Sequence, residues 1–177
     1  MWRTMERTDI PAVTSVSDAV HGRFSERADI YAERFALYPA GCFVLERDGA
    51  LAGYCIGHPW RRFSPVPLDR PIGALPDRPD SYYLHDLALL PAARGTGASA
   101  QALDLVLAEA ASAGLGEVSL VAVNGADAFW RRCGFHPAGD ADIARKLASY
   151  GPGTVYMTRL LDAGAGAAGK DREQERA

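Results

Sequence analysis

Apolar and polar positions along this chain follow two periods, and the changes of period mark its elements. Over "TDIPAVTSVSDAV" the apolar Ile10, Val13, Val16 and Val20 recur near one face of a helix. Thr8 or Asp9 can cap that helix, and Pro11 suits its first turn. "RADIYAERFALY" predicts a second helix, with Tyr31, Phe35 and Tyr38 on one face and Pro39 ending it. "GCFVLERDGALAGYCIGHPW" reads as two apolar strands around Asp48-Gly49, a pair suited to the positive φ of a tight hairpin turn. Residues 60–80 break the pattern. Five prolines between Pro65 and Pro79 disfavour helix and strand alike, and a loop this long is usually functional or mobile. A strand is predicted near Ser81 to Leu90, then a helix from about Gly97 to Ala113. Leu103, Val106, Leu107 and Ala110 face inward on that helix, and Gly114 stops it. "EVSLVAV" is the next strand, "ADAFWRRC" a short helix ending at Gly134, and "TVYMTRL" a final strand. The sum is α/β, of the α+β kind, with helices around a mixed sheet. "AGAGAAGKDREQERA", residues 163–177, lacks a core-forming pattern and reads as a disordered tail after a single domain over 1–162.

Composition narrows the function classes. The chain has 177 residues, 48% hydrophobic and 23% charged, as expected of one globular domain with a real core. A net charge of −3 argues against a general nucleic-acid binder. Cys42, Cys55 and Cys133 are scattered without metal-ligand spacing, which suits reduced thiols in a cytoplasmic protein that needs no metal. The charged "MWRTMERTDI" has no apolar region of a secretory signal, and no run approaches membrane-spanning length. A partner in nucleic acid or membrane is therefore not expected.

Candidate chemistry concentrates in "YYLHDLALLPAARGTGASAQALDLVL", Tyr82 to Leu107. Glycines let backbone N–H groups approach an anion, and the helix that follows adds its unsatisfied N–H groups and positive dipole end. "ARGTGAS" can thus hold a phosphate or pyrophosphate. It is no P-loop, since no Gly-Lys-Ser/Thr follows. "GTGASA", Gly95 to Ala100, fits the loosened dinucleotide fingerprint G-x-G-x-x-A. Against that reading, Pro91 to Arg94 separate the strand from the first glycine, and the next strand ends in Asn124 rather than an acidic residue. A third reading gives the glycines only a packing role at a helix start.

Taken with its flanks, the loop resembles the GNAT superfamily of acetyl-CoA-dependent N-acetyltransferases. Arg94, Gly97 and Ser99 occupy the positions of its R/Q-x-x-G-x-G/A signature, with Ser99 in place of the last small residue. The later element of the family is matched by Asn124, Ala128, Phe129, Trp130, Gly134 and Phe135. "LHDLAL" and "FWRRCGFHPAG" are also similar to the arylalkylamine N-acetyltransferases, whose two relay histidines fall at Tyr83 and His85, so that one of the two is kept. The resemblance implies the GNAT fold: a central, mixed and mostly antiparallel sheet, flanked by helices, with a splayed strand pair that binds coenzyme A. It implies acetyl-CoA as cosubstrate, contacted by Leu87, Leu89, Arg94, Gly95, Thr96, Gly97, Ala98, Ser99, Asn124, Phe129, Trp130 and Arg132.

The chemistry such a chain must perform follows from its acceptor. An alkylamine has a pKa of about 10 by analogy with lysine and must shed a proton before attacking a thioester. Histidine is the natural base, and His85 stands on the strand leading to the cofactor loop. Tyr83 is its candidate relay partner. Asp86, on the opposite face of a regular strand, is an alternative base or an orienting group, unless a bulge alters the parity. By resemblance, the Leu89 backbone N–H meets the developing oxyanion. Relatives often place a tyrosine at Trp130 to protonate the thiolate. Indole does not titrate usefully, so Trp130 is read as packing, with solvent, Tyr83 or Tyr150 as the substitute acid. His21, His58 and His136 have no comparable context. Tyr31, Phe35, Trp60 and Phe63, with Asp86, are the expected acceptor lining. The function expected is N-acetylation of a primary amine on a small molecule, an aromatic amine or a polyamine among the candidates, by direct attack assisted by a general base. A non-catalytic acyl-CoA sensor and a protein N-terminal or lysine acetyltransferase are the alternatives, and a homodimer is the candidate assembly.

Overall fold

The computed structural model describes residues 1–147 and 150–161; the tail expected over 163–177 lies outside the described residues. The chain order is β1 (Trp2–Thr4), α1 (Ile10–His21), α2 (Ala28–Leu37), β2 (Cys42–Arg47), β3 (Ala50–Trp60), β4 (Ser81–Leu89), α3 (Ala98–Ser112), β5 (Glu117–Ala122), α4 (Asp127–Arg132), β6 (His136–Pro137), α5 (Ala141–Leu147) and β7 (Val155–Leu160). The strands form one mixed sheet in the order β1-β2-β3-β4-β5-β7-β6. Every pairing is antiparallel except β4–β5.

The long predicted elements are present close to their expected bounds. The short β1, β6 and α5 were not expected. Residues 61–80 form no helix or strand, as their prolines require. The start of α1 differs from expectation. A 3₁₀ turn, Arg7–Asp9, precedes it, and the Asp9 carboxylate accepts from the Glu6 N–H at 2.8 Å and from Arg3 rather than capping α1.

Strand parity divides the core into two layers. On β3, Tyr54 and Ile56 pack with Val13 and Val16 of α1 and Tyr31 of α2. Cys55, between them, joins Ala102, Leu103 and Val106 of α3, with Leu84, Leu120 and Phe135. The helices therefore cover both faces of the sheet.

Two irregularities shape the middle of the sheet. Gly57 opposes Leu84 and Ile56 opposes Asp86, so His85 is an extra residue on β4, a β-bulge. β4 and β5 pair only at Tyr82–Val118 and Tyr83–Ser119 and then part. One side-chain bond, Ser81 Oγ to Ser119 Oγ at 2.9 Å, reinforces the junction.

Candidate active site

The gap left by the parting strands is a cavity of about 620 Å³. The exposed edge of β4 borders it. Leu90 N–H donates to Ala52 O across the antiparallel ladder. Alternation then turns the N–H groups of Leu89 and Leu87 away from β3, toward the gap where β5 no longer pairs. At one end stands the loop before α3. Gly95 and Gly97 have φ of 71° and 82°, values that favour glycine, and Gly97 immediately precedes α3. The first N–H groups of α3 have no partner within the helix, and Arg94, Gly95 and Ser99 line the gap beside them. Arg94 Nε is anchored 3.0 Å from Leu89 O. Thr96 instead bonds Ala93 O, and Ala98 is buried beside Ala93 and Ala52.

The bulge brings both His85 and Asp86 to the cavity, where a regular strand would send one of them to the other face. Each pairs with a group from the first helices. His85 Nε2 lies 2.6 Å from Glu26 Oε2, with side chains only 6% and 2% exposed. The other Glu26 oxygen accepts from the Asp69 N–H at 2.7 Å, so this carboxylate ties the histidine to the proline-rich loop. His21, the last residue of α1, places Nε2 2.8 Å from Asp86 Oδ1, an ion-pair contact without hydrogen-bond alignment. Asp86 Oδ2 accepts from the Tyr54 hydroxyl and, at 3.4 Å, from Tyr31. Ser17 Oγ is 2.6 Å from the Tyr31 hydroxyl.

Burial is the largest influence on His21 and disfavours its charge, but Asp86, with help from Glu26, more than offsets it and raises the pKa. Burial likewise works against the Asp86 carboxylate. The charge of His21 and the hydrogen bond from Tyr54 outweigh it and hold Asp86 below the usual carboxylate value. His58, buried on β3, is driven down to about 3, first by desolvation and then by His85 and Arg34.

The far wall is apolar: Val20 from the last turn of α1 and Phe24 after it, Val66 and Leu68 from the loop, and Val121 and Val123 from the β5 side. Asn124, Phe129 and Trp130 also line the cavity. Trp130 is wedged between the rings of Phe129 and Phe135, with centroids at 4.9 and 5.4 Å.

Several expected site residues lie elsewhere. Tyr31 is fully buried in the core and touches the site through Asp86 and the Glu26 N–H. Phe35 packs on the same core cluster. Trp60 bonds Ser64 O and packs against the cluster of Val66 and Tyr83, while Phe63 is 44% exposed against Tyr156. Arg132 borders a separate shallow depression with His136 and Arg159. Tyr83 touches the cavity but is only 3% exposed, and burial pushes its hydroxyl well up, so a relay role there is disfavoured. His21 and Glu26 were missed. Both fall in "HGRFSE", the junction of two predicted helices.

Residues 10–135, well over half of the chain, match the acetyltransferase (GNAT) family. The chain belongs to the GNAT family. Solved structures of this fold agree. The GphF GNAT-like decarboxylase in complex with isobutyryl-CoA is 17% identical, with TM-score 0.73, covering 92% of this chain and 100% of that one. N-acetylglutamate synthase from Neisseria gonorrhoeae, complexed with coenzyme A and N-acetyl-glutamate, is 18% identical with TM-score 0.68, over 92% of this chain and 35% of the longer enzyme. The ribosomal-protein-S18-alanine N-acetyltransferase of Escherichia coli is 18% identical with TM-score 0.61, over 93% and 96%. No curated protein matches the sequence. The expected GNAT fold is therefore observed, as a seven-stranded mixed sheet flanked by helices. No helix among the described residues is long and apolar enough to cross a membrane.

Proposed function

We propose that the chain is an acetyl-CoA-dependent N-acetyltransferase for a primary amine on a small apolar molecule, with His85 as general base. The observation that carries this is the His85–Glu26 pair at 2.6 Å, standing in the gap between β4 and β5. Glu26 accepts from the imidazole and leaves its other ring nitrogen to receive a proton. The structure suits a coenzyme: the Gly95–Gly97 loop and the start of α3 offer N–H groups to a pyrophosphate, and the β4 edge offers others to an amide-bearing arm. Two structural neighbours hold coenzyme A or an acyl-CoA, which supports that assignment. The Leu89 N–H, turned into the gap, is the donor for the oxyanion.

Val66 and Leu68 close over the acceptor side, and the loop carrying them is pinned to the start of α2. Arg27 holds Asp69 at 2.7 Å, and Glu33 accepts from Ile72 and Gly73 N–H. Such a cover favours a small acceptor over a protein terminus. Its apolar lining, with Val20 and Phe24, favours an aromatic or aliphatic amine over a polyamine, in keeping with the arylalkylamine resemblance.

A thiol-release screen with acetyl-CoA against aromatic amines, polyamines, aminoglycosides and peptides tests this reading. Release with apolar monoamines is expected. Release with peptides alone would point to a protein acetyltransferase, and binding of acetyl-CoA without release to a sensing domain. In the active enzyme, His85→Ala should lower kcat by roughly 10²- to 10⁴-fold while acetyl-CoA affinity is kept. Normal turnover by that variant would remove His85 from the chemistry.

A further inference from the structure

The cavity holds a second imidazole–carboxylate pair that the base does not use. We infer that His21, held by Asp86, is the proton donor to the departing coenzyme A sulfur. The inference rests on the acyltransferase reading above.

The other candidates fail one by one. Trp130, where relatives often have tyrosine, carries an N–H that does not titrate, and its ring is wedged between Phe129 and Phe135. Tyr150 already donates its hydroxyl to Val66 O. Tyr83 is buried among Val66, Ile143, Leu147 and Tyr156. Arg94 does not release protons. Glu26 and Asp86 accept from their partners. His85 serves as base. His21 remains, and it lines the same cavity from the last turn of α1.

Its surroundings favour the charged form, although burial opposes it. The Asp86 carboxylate lies 2.8 Å away on β4, and the carbonyl end of α1 adds a negative dipole end. Glu26, from the segment before α2, also favours the cation, while Arg94 of the cofactor loop and burial oppose it. The Tyr54 hydroxyl fixes Asp86 from the opposite side. The two pairs thus divide the work, with consecutive β4 residues anchoring one each.

The step balances. The ammonium first loses one proton through His85 to solvent; the neutral amine nitrogen then attacks the thioester carbon and forms the C–N bond, and His85 takes the second proton that nitrogen loses. The C–S bond breaks, sulfur leaves with the electron pair, and His21 gives it a proton. Both imidazoles then re-equilibrate with solvent, and nothing is oxidised or reduced.

An imidazolium beside the sulfur should stabilise bound thiolate even without an acceptor. Coenzyme A bound to the full chain is titrated by thiolate absorbance, against desulfo-coenzyme A as blank, for the native protein, His21→Gln and His21→Ala. Glutamine can still bond Asp86 but carries no titrating proton. The thiol midpoint in the native complex should lie about one pH unit below that in either variant. Equal midpoints would overturn the inference while leaving the acyltransferase reading intact. Failure of coenzyme A to bind any form would overturn both. In turnover with an accepted amine, His21→Gln should lose roughly 10- to 100-fold in kcat at unchanged KM for acetyl-CoA, and free imidazole should restore part of the loss in His21→Ala. Native kcat in both variants would also overturn it.

Discussion

His58 lies on β3 at 1% exposure, with Nδ1 3.1 Å from Pro59 O and no hydrogen-bond partner for Nε2 among the described residues. Desolvation, then the neighbouring His85 and Arg34, drive its pKa to about 3. The folded chain therefore keeps His58 neutral, whereas the unfolded chain takes up a proton below about pH 6.5. Because the unfolded state binds more protons there, stability must fall as the pH drops toward the folded value. The expected loss is about 2 kcal/mol between pH 6.5 and 5. Urea unfolding at both pH values, compared with His58→Met, checks it: the variant should lose less on acidification, and an identical loss would acquit His58. Legibility at this scale followed local spacing. His85, Asp86, Arg94, Ser99 and Trp130 lie within or beside a recognisable motif, and each reaches the cavity. His21 and Glu26 depend on how α1 and the turn after it fold back onto β4, a long-range contact that no local pattern encodes. The aromatic residues failed as acceptor lining for a related reason: an aromatic helical face such as that of Tyr31 is also what a core demands.

Among the elements, the β2–β3 hairpin formed around Asp48-Gly49 as its turn chemistry required, with φ of 52° and 76°. Its other end rests on a close approach that the sequence did not reveal. A Cβ on Gly41 would stand 2.1 Å from Gly57 O and 2.5 Å from the Tyr82 hydroxyl. Since the obstacle is backbone, Gly41→Ala must push β2 and β3 apart. A loss of about 1–3 kcal/mol is expected, read as a lower urea midpoint at unchanged slope; an unmoved midpoint would mean that the hairpin yields freely. The bulge at His85 was foreseeable only as a possibility of the family, because one extra residue leaves no mark on an apolar pattern already interrupted by His85 and Asp86. The proline-rich segment was legible as non-regular, but not as a strap. Its bonds to Glu26, Arg27, Glu33 and Arg34 span long stretches of chain that no local pattern links.

The molecule as a whole is two sub-sheets, β1 to β4 and β5 to β7, joined in the sheet by two residue pairs and a serine–serine bond and bridged by α3. This architecture was readable because the alternation of periods and the motif order agree; the position of the split was not, since it depends on where two strands stop pairing. Under the proposed function, coenzyme A lying along the β4 edge supplies partners that β5 withholds. Ligand at 100 times its Kd should add about 2.7 kcal/mol of stability, and the amides of Leu87 and Leu89 should exchange more slowly. Protection confined to the Arg94–Ser99 loop would show that the coenzyme leaves the strand edge bare. A last consequence concerns fidelity. Glu26 grips His85 with one oxygen and the strap, at Asp69, with the other. Under the proposed function, an oversized acceptor that lifts Val66 and Leu68 would pull on the same carboxylate that holds His85. Misfit guests would then be tolerated at the door and refused at the bench: discrimination by size becomes a matter of commitment to reaction rather than of occupancy.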